Sequence, residues 1–173
     1  MGRLRKFVAC LMILALCACL FAGCSSENHQ RGPLAVRKVT YLIYAGGINQ
    51  VEMYVLTSDR KVTHYIIRPE ADKSYDYLAG EMPSSEYYEV TESETTVSGW
   101  ESVVNVLTRV NYMELKEDVS DTTGTDDAAS YYIKVETADD VHISGGYNAG
   151  YMDDSESRRF AEARQYVENA LKQ

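Results

Sequence analysis

All four cysteines of this chain, Cys10, Cys17, Cys19 and Cys24, lie within its first 24 residues. That placement constrains the fold more than any other feature. After Cys24 no thiol is left, so a disulfide scaffold, a cysteine-based zinc site and a Cys-x-x-Cys redox centre are all excluded from the folded part. Of the 173 residues, 150 remain from Cys24 onward, and a single domain of that size can build a core without covalent staples. Charge is divided as unevenly as the thiols. All 26 acidic residues follow Cys24, whereas three of the 17 basic ones precede it, so the remainder carries −12 against −9 for the whole chain. Such a surface repels phosphate backbones, and nucleic acid is not an expected partner.

The first 24 residues read as an export signal. Arg3, Arg5 and Lys6 precede an apolar run of 17 residues, Phe7 to Gly23. That run is short of the roughly 20 residues a spanning helix needs, and it ends in small residues as a cleaved signal does. The closing string Leu20-Phe21-Ala22-Gly23-Cys24 resembles the lipobox of bacterial lipoproteins. The resemblance implies a diacylglyceryl group on the Cys24 sulfur, cleavage just before it, and a lipid anchor on the extracytoplasmic side of the cell membrane. The string departs from the usual pattern in having Phe21 three residues before the cysteine, with Leu20 one step further out. Leu16-Cys17-Ala18-Cys19 keeps the usual Leu spacing, but cutting there would leave Leu20 and Phe21 in the mature tail. Cys24, followed by polar Ser25 and Ser26, is the expected lipidation site. In a cell with two membranes, that serine would further resemble an outer-membrane sorting signal. Segment 1–23 is thus expected to be a signal peptide and 24–35 a polar tether broken by Gly32-Pro33. A single domain spans 36–173.

Within 36–173 the patterning alternates between strand and helix. Val39–Tyr44, Gln50–Leu56 and Val62–Ile67 are rich in β-branched and aromatic residues and are bounded by turn residues, which predicts an antiparallel meander. Residues 70–97 carry little apolar content and read as a surface excursion with a fourth strand near Tyr87–Val90. Ser98 with Glu101 has the spacing of a capping box, and Trp100, Val103, Val104 and Leu107 then share one helical face. Ser130–Glu136 alternates with Tyr131, Ile133 and Val135 toward the core, and a shorter strand follows at Val141–Ser144. A last helix begins near Asp153 and carries Phe160, Ala163, Val167, Ala170 and Leu171 along one stripe. The fold class is α+β: an antiparallel sheet of five to six strands with two helices on one face. In layout, residues 36–173 are similar to the many small bacterial lipoproteins with one α+β domain, a likeness that brings no function with it.

Tyrosine is the compositional oddity. All 14 tyrosines follow Cys24, beside one Phe and one Trp. Such a ring can bury its face and leave its edge in water, which suits both half-buried strands and recognition surfaces. Tyr44, Tyr54 and Tyr132 are expected on the sheet face away from the helices. Tyr147 and Tyr151 flank glycines in Gly145-Gly146-Tyr147-Asn148-Ala149-Gly150-Tyr151 and are candidates to clamp a ligand, such as a peptide, glycan or protein. The plainer account is that the tyrosines are strand formers and the glycines turn residues. The acidic stretch 117–127 lacks the EF-hand alternation, so no metal site is expected there. His64 shares parity with Val62 and Ile66 and is expected to be buried, whereas His142 alternates with Val141 and Ile143 and is expected to point outward. Neither lies in a catalytic motif. No cofactor is expected, and the expected function is a non-enzymatic binding module at the cell envelope. The alternatives are an envelope hydrolase using carboxylates near 145–151, or an inhibitor or structural accessory of a larger envelope complex.

Overall fold

A computed structural model of the chain describes residues 33–45, 47–123 and 128–172; Cys24, residues 25–32 of the expected tether and the tip of the acidic loop lie outside them. The domain is α+β, with six strands: β1 (Val36–Tyr44), β2 (Val51–Thr57), β3 (Lys61–Ile67), β4 (Tyr88–Glu94), β5 (Ser130–Thr137) and β6 (Val141–Tyr147). They form one sheet in the order β4-β3-β2-β1-β5-β6, antiparallel throughout. Both helices, α1 (Val97–Arg109) and α2 (Ser155–Leu171), pack on one face.

Register explains which residues that face takes. Tyr41 lies opposite Tyr54 on one side and Ile133 on the other, and Val39 opposite Leu56 and Val135. Because alternate residues share a face, this row turns Val39, Tyr41, Leu56, Val62, Ile133 and Val135 toward the helices. There they join Val103, Val106 and Leu107 of α1 and Phe160, Ala163 and Val167 of α2 in the main core. Each helix starts on a side-chain cap. Thr96 accepts a bond from the Gly99 amide at 2.9 Å, so α1 begins two residues before the capping box suggested. Asp154 accepts from the amides of Glu156 and Ser157 at 2.8 and 3.0 Å at the start of α2. Such caps satisfy amides that the first helical turn leaves open, each worth about 1 kcal/mol.

The opposite face is not bare. Leu42, Val51, Met53 and Ile67 form a second core there, closed by Tyr77. Tyr77 belongs to the stretch expected to be a surface excursion. Residues 68–84 instead fold back over the sheet, with Tyr75, Leu78 and Met82 also packed against it. The Lys134 ammonium, at the floor of this face, donates to the Leu78 carbonyl at 2.8 Å and tethers the flap. Lys134 and Lys38 both pair with Glu136, at 3.3 and 2.7 Å. Burial alone would raise the Glu136 carboxyl, but the two ammoniums together outweigh it and hold it below the usual carboxylate range.

Two histidine expectations meet the register differently. His64 does face the helix side with Val62, opposite Tyr54, but stays half-buried rather than buried. His142 lies opposite Val135, which turns it toward the helices rather than outward. Its ring meets buried Tyr112 edge-on at 5.7 Å. The alternation had suggested that Val141 and Ile143 were the core-facing pair. They lie on the other face, where Val141 is 53% exposed.

Candidate functional site

Strand β6 and its neighbours build a concavity. The strand runs on through Gly145 and Gly146 to Tyr147, so these glycines are part of the ladder and the turn comes only at 148–150. A short segment, 117–121, lies parallel to this half of β6. The Gly145 amide donates to the Glu117 carbonyl at 2.9 Å, Val119 donates back to Gly145 at 2.9 Å, and Asp121 donates to Tyr147 at 2.8 Å. Glycine is required by that approach: at Gly146, whose φ is +141°, a Cβ would stand 2.1 Å from the Ser120 hydroxyl.

Among the described residues, the edge upstream of Gly145 has no such cover. A cleft of about 500 Å³ opens there, with Tyr132, Val141, Ile143 and the two glycines on one side. Leu78 of the flap, Glu117, Asp118, Ser120 and His142 form the rest of its wall. Asp118 accepts bonds from both the amide and the hydroxyl of Ser120. Those bonds hold its carboxyl below the usual range, so it stays ionised at neutral pH. Asp121 is held down in the same way by Thr123. The cleft therefore combines an apolar floor with fixed negative charge. Among the described residues, no group of three or more His, Cys, Asp and Glu side chains is placed to hold a metal ion.

The five tyrosines singled out from the sequence are divided among four places. Tyr44 and Tyr132 do lie on the face away from the helices, edge to face at 5.9 Å. Tyr44 continues the row to Tyr77 at 6.1 Å, and Tyr77 to Tyr75 at 6.0 Å. Of these, Tyr132 alone lines the cleft.

Tyr54 is on the wrong side for the expected platform. Its register partner Tyr41 is a helix-facing residue, so Tyr54 sits at the margin of the main core. It stacks on His64 at 4.0 Å with 6° between the planes. Its hydroxyl donates to Glu52 at 2.9 Å, and the His64 Nε2 lies 3.6 Å from the same carboxylate.

Tyr147 and Tyr151 do not form one clamp. The Tyr147 hydroxyl accepts from the Ala128 amide at 3.1 Å, tying β6 to the chain entering β5. Tyr151 instead covers Arg164 of α2. That guanidinium lies 4.9 Å from the Tyr151 ring centre and 4.3 Å from that of Tyr131, and it donates to the Ala149 carbonyl at 3.0 Å. Cation–π contacts of this kind contribute about 0.5–2 kcal/mol. The pair fixes the loop to the helix and leaves one face of Tyr151 in solvent.

Tyr44 and Tyr54 are among the rings whose phenols the fold holds up. Burial first, and then the neighbouring Tyr77 and Tyr132, push the Tyr44 hydroxyl up to about 12. Burial, followed by the Glu52 carboxylate, takes Tyr54 to about 12 as well. A raised pKa means the fold favours the neutral phenol. This contribution to stability is complete below pH of about 10, the unfolded value, and is lost as pH rises through about 12. Phenolate absorbance is expected to show a late step near pH 12, reduced in both Tyr44→Phe and Tyr54→Phe. Titration of all accessible tyrosines together near pH 10 would contradict it.

Sequence reasoning missed the flap residues Tyr77 and Leu78, whose only signal was an aromatic and an aliphatic residue side by side in a polar stretch. It also missed the cleft-lining role of Val141 and Ile143. No protein-family model matches the chain, and a comparison with curated proteins gives no match either.

Proposed function

We propose that this chain is a lipid-anchored, extracytoplasmic protein whose domain is a non-enzymatic binding module at the cell envelope, with the β6 cleft as its binding surface. The anchor rests on the leader and the lipobox-like string ending at Cys24. Two acyl chains bury many methylenes at about 0.8 kcal/mol each, enough for stable attachment. Among the described residues no helix is long and apolar enough to cross a membrane.

The observation that carries the binding reading is the cleft of about 500 Å³ with Tyr132, Val141, Ile143 and Leu78 around fixed carboxylates. That volume is in the range of ligand sites, and apolar lining with a few placed polar groups is their usual composition. A hydrolase at the same place would need a carboxyl poised to trade protons near neutral pH. Asp118 is instead tied to Ser120 and held ionised, so it has no proton to give as a general acid at neutral pH.

Two measurements test the proposal. Feeding cells a labelled fatty acid should mark the wild-type protein and leave Cys24→Ala unmarked; label persisting on the variant moves the anchor to another cysteine. Calorimetric titration against a panel of peptides and glycans should find a ligand whose affinity falls about tenfold or more in Tyr132→Ala. The same ligand should be bound undiminished by Tyr151→Ala. The reverse pattern would place the binding surface on the 148–152 loop instead.

A further inference from the structure

The cleft is also an interrupted sheet edge. Outward and inward backbone groups alternate along β6. The inward set closes on β5: Thr137 donates to the Asp140 carbonyl and Asn148 to Ala129, each at 2.9 Å. The outward set begins at Val141, whose amide is taken by its neighbour Asp140 at 2.8 Å. It ends at Gly145 and Tyr147, which bond the 117–121 segment. Between them, the outward amide and carbonyl of Ile143 meet no hydrogen-bonding group of the described residues. Segment 117–121 thus already acts as a partial seventh strand. It stops short because the chain before Glu117 turns inward, where the Ser144 hydroxyl donates to the Lys116 carbonyl at 2.6 Å.

Building on the binding reading above, we infer that the bare stretch of β6 at Val141–Ile143 takes up an extended peptide as an added strand, with basic side chains against Glu117 and Asp118 and apolar ones against Leu78 and Ile143. Strand addition draws affinity from main-chain bonds and specificity from pockets for alternate side chains. Here the Ile143 backbone supplies the first, and the wall of the cleft supplies the second. Charge selects the sign of the partner: the residues from Cys24 onward carry −12, and Glu117 and Asp118 line the cleft at the Gly145 end of the bare stretch.

The other sheet edge serves as a contrast. β4 pairs with β3 on one side and, among the described residues, no strand joins its outer edge, which carries exposed Glu89, Glu92 and Glu94. Charged residues along a flat edge are the usual guard against unwanted pairing. The β6 edge, in contrast, has a bare stretch beside Leu78 of the flap and the 117–121 segment.

The test uses the full chain in detergent micelles and a capped heptapeptide alternating lysine and valine. Saturable binding is expected, weakening with added salt and absent when glutamate replaces lysine. A strand bonded along one edge uses alternate amides only. Of two peptides N-methylated on odd or on even residues, one should therefore bind about tenfold more weakly and the other nearly as well as the parent. On the protein, Ile143→Pro removes an outward amide that β5 does not use and should abolish binding. Glu117→Gln combined with Asp118→Asn should weaken binding several-fold. Should Ile143→Pro fail to fold, the methylated pair still decides the matter. Equal binding by both methylated peptides, or binding that survives in a folded Ile143→Pro, overturns the inference. A glycan that binds through Tyr132 while no peptide binds also overturns it, yet leaves the binding module standing. If nothing binds at the cleft, both fall.

Discussion

Tyr112→Ala should lower the free energy of unfolding by about 3–5 kcal/mol, the range for truncating a fully buried aromatic ring. Tyr112 lies in the 3-10 turn after α1 and is completely shielded from solvent. Its hydroxyl donates to the Ile133 carbonyl at 2.7 Å, so one side chain joins the helical layer to the middle of β5. Burial is the main reason its phenol is held far above the ordinary tyrosine range. Together with Tyr41, also pushed far up by burial, it should ionise only when the domain unfolds. Urea unfolding measures the loss directly. Tyr112→Phe keeps the ring and should cost only about 1 kcal/mol, the share of the hydrogen bond. A loss in Tyr112→Ala no larger than that in Tyr112→Phe would show that the ring is not a keystone of the core.

The second large effect is expected at Gly145. A Cβ there would stand 2.2 Å from the Tyr131 carbonyl oxygen and 2.7 Å from the Tyr132 Cα, both backbone atoms of β5. No flexible side chain can yield to relieve that overlap, so the two strands must part. Gly145→Ala is expected to destabilise the domain by about 3 kcal/mol or more, at the upper end for overpacked sites. It should also lower affinity for any ligand of the cleft, because Tyr132 and Ile143 lie on the two strands that separate. Amide exchange resolves this from general loosening: protection should fall first along β5 and β6, while β2 and β3 keep theirs. Uniform loss of protection across the sheet would contradict the local account.

Most of the fold was legible because its signals are local and repeat. Alternation placed β1, β2, β3 and β5, and the 3.6-residue stripe of Phe160, Ala163 and Val167 placed α2. The site was less legible, and the reason is physical. A sheet with cores on both faces makes parity ambiguous, since apolar residues are then no guide to which face the helices cover. Tyr54 was assigned to the wrong face on that ground, and so was His142. Pairing register decides such cases, and register depends on residues far away in sequence. The flap escaped for a different reason: Tyr77, Leu78 and Met82 close the second core while the chain around them stays polar. Burial there is bought by a few side chains rather than by a pattern, so no periodicity announces it.

The sheet order also has a mechanical meaning. β1 begins at Val36, directly after the segment expected to be a tether, yet it lies in the interior of the sheet, between β2 and β5. Its hydrogen bonds to both neighbours stand nearly perpendicular to the strand. Tension passed along the chain into Val36 therefore loads two full ladders in shear, many bonds at once, instead of peeling an edge strand one bond at a time. A domain held by its first residues against flow or the movement of a bound partner would give way last at the point where it is held.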